Sequence, residues 1–104
     1  MNEATLPDSD PQLVNAIIHD DRHVLVVYDD GVSGLLDVGP LIAQGSFFAD
    51  LTDPALLRRV AIDREWNSLA WPNGADLAPE FVRETIARQH AEFLRFLETR
   101  RVAA

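Results

Sequence analysis

The chain has 104 residues, with 9 basic residues, all arginine, against 17 acidic ones and a formal net charge of −8. At 47% hydrophobic and 25% charged it is composed like one folded domain, not a disordered tail. The absence of cysteine excludes disulfides, thiolate metal sites, iron–sulfur clusters and a cysteine nucleophile.

Residues 1–12 read as a lead-in, with Pro7 and Pro11 around Asp8-Ser9-Asp10. That acidic triplet has the look of a calcium-loop start, but the required Gly and distal Glu are out of register, and a solvated turn is the plainer reading. No positive segment precedes an apolar one here, so a signal peptide is not expected. No apolar run approaches the ~18 residues of a membrane span, so a cytoplasmic protein is expected. The acidic surplus argues against nucleic-acid binding by this domain alone, because phosphate contacts need clustered cations.

The domain itself is expected to span residues 13–79, followed by a helical extension over 80–104. Leu13 to His19 is apolar and β-branched and reads as a strand. Asp20-Asp21-Arg22 is a polar turn. A second strand, His23 to Asp29, puts Val24, Val26 and Tyr28 on one face and Leu25 and Val27 on the other. Asp30-Gly31 turns into a third strand, Val32 to Val38, completing an antiparallel meander. Pro40 to Gln44 reads as a short helix stopped by Gly45. Phe47, Phe48 and Leu51 form an apolar plug. Asp53-Pro54 is an N-cap followed by proline, opening a helix to about Arg58. Val60 to Asp63 and Ser68 to Trp71 form a hairpin in which Val60 and Ile62 face Leu69 and Trp71. Pro72-Asn73-Gly74 is a strong turn signal. The last element is a helix from about Pro79 to Arg101, roughly 33 Å long. Val82, Ile86, Phe93 and Leu97 make its apolar stripe, widened by Phe81, Leu94 and Phe96. The expected class is α+β: an antiparallel sheet of about five short strands, short helices and one long C-terminal amphipathic helix.

Several of these features coincide in order and spacing. Tyr28-Asp29-Asp30-Gly31, Pro40-Leu41-Ile42, Gly45-Ser46-Phe47-Phe48 and Leu51-Thr52-Asp53-Pro54 are followed by Val60-Ala61-Ile62-Asp63. Trp71-Pro72-Asn73-Gly74-Ala75-Asp76-Leu77 closes the series and is its most specific part. The series resembles the bacterial domain-of-unknown-function 2442 family over about residues 13–83. The resemblance implies a small α+β domain similar to the N-terminal domain of a larger helix-turn-helix protein. It also implies a second small protein as neighbour, in a pairing proposed to be toxin–antitoxin-like. Some members carry the label of a molybdenum-cofactor biosynthesis protein, but this chain has no Gly-rich nucleotide loop. Its single unbroken tail helix also supplies no second element for a helix-turn-helix.

Chemistry-bearing residues are sparse. His19 and His23 flank a turn and, with Asp20 or Asp21, are weak metal candidates; two exposed turn histidines is the simpler reading. His90 reads as a boundary residue of the helix. Asp37 and Asp76 are expected to hold loops by accepting backbone N–H groups, the alternative being an acid–base pair. Ser33, Ser46 and Ser68 lack a nucleophile elbow, so an enzyme and a cofactor are not expected. Asp30, Gly31, Asp37, Pro72, Gly74 and Asp76 are expected to be structural. Trp66, Trp71, Asn73, Val82, Ile86, Phe93 and Leu97 are the candidate partner contacts. The expected function is a non-enzymatic interaction module, antitoxin-like or regulatory, with a protein partner or a homodimer through the C-terminal helix. The alternative is a small-molecule or metal-binding accessory protein. Charge is unevenly placed. Residues 1–79 hold four Arg and thirteen acids, a net −9, while residues 80–104 hold five Arg and four Glu, a net +1. An acidic body suits a basic partner.

Overall fold

The apolar, β-branched run over His23–Tyr28 becomes the central strand of the first sheet, its residues alternating between buried and half-buried. The computed structural model describes residues 10–100. Strand β1 (Leu13–Ile18), β2 (His23–Tyr28) and β3 (Ser33–Asp37) form an antiparallel meander in the order β1-β2-β3. Val24, Val26 and Tyr28 are buried on one face of β2, as the pattern predicts. Opposite them sit Ile18, Ala16 and Leu13 on β1, and Leu36 and Gly34 on β3. Residues 1–9 of the lead-in, with Asp8 and Ser9 of the calcium-like triplet, and the helix end at Arg101 lie outside the described residues.

The chain then leaves the sheet through α1 (Gly39–Gln44), a 3₁₀ segment (Ser46–Thr52) and α2 (Pro54–Leu57). Asp53 caps α2 as expected, its carboxylate accepting from Ala55 N at 3.0 Å. Of the expected plug, Leu51 is buried and Phe48 packs against the core, whereas Phe47 is exposed. Strands β4 (Ala61–Ile62), β5 (Leu69–Ala70) and β6 (Asp76–Leu77) follow. Ile62 faces Leu69, and Leu69 faces Leu77.

The expectation of about five strands in one sheet needs correction: among the described residues six strands form two separate three-stranded antiparallel sheets. The helical crossover carries the chain off the first sheet, so β4 starts a new one beside β1. The sixth strand arises because the turn closes tightly. Trp71 N donates to Ala75 O, and Gly74 N to Trp71 O, folding Asp76–Leu77 back along β5. Gly74 takes φ +98°, which its missing Cβ allows.

The final helix, α3 (Pro79–Arg100), has 22 residues. Val82, Thr85 and Ile86 are buried in the shared core, so its first two turns belong to the body. Gly34 gives Ile86 its place: a Cβ there would sit 3.0 Å from Ile86 Cδ1.

Candidate functional site

Three polar ties fasten α3 to the first sheet in succession. The Tyr28 hydroxyl donates to Pro79 O at 2.7 Å. Arg83 makes two hydrogen bonds to the Asp30 carboxylate, at 2.8 and 3.2 Å, and lies over the Tyr28 ring. The Gln89 amide accepts from Asp37 N at 3.0 Å and donates to Asp37 O at 3.1 Å. Burial pushes the Tyr28 hydroxyl up to about 12, keeping it a donor. The Arg83 guanidinium holds the Asp30 carboxyl below its ordinary range.

The Gln89 tie has a backbone reason. Tyr28 N donates to Val32 O, and Val38 N to Arg22 O, so the even-numbered residues of β3 bond to β2. By the alternation of an antiparallel ladder, Ser33, Leu35 and Asp37 then point their N–H and C=O away from β2, to the free edge. Gln89 satisfies the last of the three. The opposite edge is closed the same way: Leu13 N donates to the Asn67 carboxamide, which donates back to Leu13 O.

Beyond Gln89, the body falls away from the helix. Every residue from His90 to Arg100 is exposed. Phe93 (54%), Leu94 (50%), Phe96 (52%) and Leu97 (46%) are all about half exposed. Their stripe continues the line of Val82 and Ile86, but among the described residues no other part of the chain buries it. Between the proximal part of this overhang and the edge of β3 runs a groove of about 940 Å³, walled by Val32, Leu35, Pro40, Ile86, His90 and Phe93 among others.

The expected contact residues therefore divide. Phe93 and Leu97 lie on the overhang, and Trp66, 73% exposed, sits in the β4–β5 turn. Val82 and Ile86 are instead core residues, packed on the sheet. Trp71 is also core, only 4% exposed, with its indole N–H donating to Leu57 O. Asn73 is half-buried and bridges: its amide donates to Phe47 O, and its carbonyl accepts from Ala75 N. The turn after Trp71 is thus held by Asn73 rather than by Asp76, which is an exposed strand residue.

Asp37 does hold its loop, accepting from Gly39 N at 2.8 Å and from Arg22 Nε at 2.6 Å. Burial works against its charge, yet Arg22 and the Gly39 N–H outweigh that and hold its pKa below the usual value. Asp30 accepts from Val32 N, and Gly31 turns at φ +90°, as structural residues. Pro72 is exposed beside Gly74. The ring centres of His19 and His23 are 6.4 Å apart. His23 Nδ1 is engaged by Asp20 Oδ1 at 2.9 Å, and its Nε2 is 3.9 Å from Asp37. Among the described residues no group of three or more His, Asp or Glu side chains is placed to hold a metal ion. Nor is any helix there long and apolar enough to cross a membrane.

Over residues 13–86 the sequence matches the family described as a protein of unknown function, DUF2442. The chain belongs to the DUF2442 family. The matched span reaches to Ile86, so it includes the docked turns of α3 and stops before the overhang. No curated protein and no solved structure matches the chain. In this DUF2442 member, Gln89 and Arg83 are the positioning residues that reading the sequence missed. Gln89 did leave a signal: it is a polar side chain at a stripe position, three residues after Ile86 and four before Phe93.

Proposed function

We propose that the protein is a non-enzymatic interaction module, the regulatory partner of another protein, with distal α3 as its contact element. The observation that carries the reading is the overhang: four large apolar side chains about half exposed on a helix whose earlier turns bury the same stripe. Contiguous apolar surface of this kind marks contact sites. The acidic body, with a net −9 over residues 1–79, favours a basic partner and speeds encounter with it.

The test is affinity capture from the native cell with the full chain as bait, alongside a bait carrying Phe93→Glu and Leu97→Glu. The reading expects one small protein at equal stoichiometry on the first bait and its loss on the second. Equal recovery on both baits, or none on either, would sink it.

A further inference from the structure

We infer that the cavity beside Trp66 is a docking site for an arginine side chain on a basic segment of a partner protein. None of the residues lining it belongs to the overhang, so the inference goes beyond the reading of distal α3 and stands without it.

The cavity, of about 860 Å³, lies where the chain entering β1, the β4–β5 turn and the first turns of α3 meet. Strand pairing sets its floor. Leu69 pairs with Leu77 on the core side, so Ser68 and Asp76 turn to the opposite face of the second sheet. Ser68 lines the cavity and is only 5% exposed. Among the described residues its hydroxyl has no hydrogen-bond partner. Buried hydroxyls are almost always paired, and a polar group seated in the cavity would give this one its partner.

Charge decides the sign of that group. Asp10, Glu65, Asp76, Glu80 and Glu84 line the cavity. Arg64 and Arg83 oppose them, and Arg83 is already engaged by Asp30 through two hydrogen bonds. Five carboxylates against two guanidiniums leave a net −3 in the lining. A cleft lined by one sign concentrates the other, so a cation is drawn in and an anion repelled.

Trp66 decides which cation. It is 73% exposed, yet its turn is pinned. The Asp63 carboxylate accepts from Glu65 N and Trp66 N, and the Asn67 carboxamide is bonded to both Leu13 N and Leu13 O. A tryptophan is thus held beside the cavity in advance of binding, so little ordering remains to be done. A guanidinium stacks on an indole face while its N–H fork reaches carboxylates and a hydroxyl; a compact ammonium does this less well. The cavity wall already contains one such arrangement. The Arg83 guanidinium lies 4.8 Å from the centre of the Tyr28 ring while bonding to Asp30.

The test titrates the full chain with a blocked peptide of three arginines spaced by glycines, and with its lysine and glutamate counterparts, by calorimetry and by tryptophan emission. The arginine peptide should bind saturably and change the emission of Trp66, the lysine peptide should bind more weakly, and the glutamate peptide should not bind. Trp66→Ala and Ser68→Ala, with unchanged circular dichroism, should each weaken binding by about tenfold. Asp76→Asn with Glu80→Gln should weaken it at least as much. Asp21→Asn with Glu98→Gln removes the same charge outside the cavity and should stay within about twofold of the natural chain. Equal weakening by the two charge pairs would make the attraction diffuse and overturn the site. Tight binding by Trp66→Ala, binding of the glutamate peptide, or no saturation with the arginine peptide at about 1 mM would overturn it too. Equal affinity for the lysine peptide overturns the choice of arginine. A chain carrying Phe93→Glu and Leu97→Glu should bind the arginine peptide like the natural one, which separates this site from the overhang; loss of binding there would overturn the placement beside Trp66.

Discussion

At the scale of single residues, carboxylates do the structural work that composition alone would have assigned to a partner surface. Asp37 binds Arg22 and the Gly39 N–H, Asp30 binds Arg83, and Asp20 accepts from Arg22 N and His23 N. All three are held below the ordinary carboxylate pKa. A depressed folded pKa contributes stability above the unfolded value, about 4, and the contribution is lost as pH falls through the folded values. The urea midpoint should therefore hold from pH 7 to about 5 and drop below pH 4. Asp37→Asn should shrink that drop by about 1 kcal/mol or less, because the pair is partly exposed. A drop of equal size in the variant would remove Asp37 from the account. The loop role of Asp37 was legible from its place at a strand end before Gly39-Pro40. Its partner Arg22 was not, since no spacing links a turn residue to one fifteen positions away. The W-P-N-G turn was legible as a turn, but that Asn73 reaches Phe47 depends on the crossover lying beside it.

At the scale of elements, Gly34 and the Gln89 amide are two of the features that dock α3 on the first sheet. Gly34→Val should push Ile86 off the sheet and cost about 1–3 kcal/mol by overpacking. Ile86→Ala in the same chain should recover part of that loss, and urea denaturation of the four chains in the cycle would show the coupling. Gln89→Ala leaves the Asp37 N–H and C=O without their partner at a part-buried edge, which should cost about 1–2 kcal/mol. Amide hydrogen exchange at Asp37 should accelerate with it. The meander, the capped α2 and the long helix were legible because alternation, Asp53-Pro54 and the 3.6-residue stripe each carry their own period. The two-sheet division was not. Strands of two residues carry no period, and the crossover that separates the sheets is set by packing. The half-burial of α3 was equally hidden, because an apolar stripe records a face and not what covers it.

At the scale of the whole molecule, extents of 56 × 36 × 21 Å describe a body with a projecting rod. Among the described residues truncation after His90 removes only exposed ones, and it should change stability by less than about 0.5 kcal/mol in the monomer. A larger loss measured below 1 µM would mean that the rod supports the body. The molecule also carries two unlike tryptophans. Trp71 is sealed in the core against Leu57, and Trp66 stands in solvent on the β4–β5 turn. Its fluorescence is thus a sum of a blue-shifted and a red-shifted emitter. Iodide should quench the red part alone, and a Trp66→Phe chain would leave one buried lamp that dims or reddens only when the core opens.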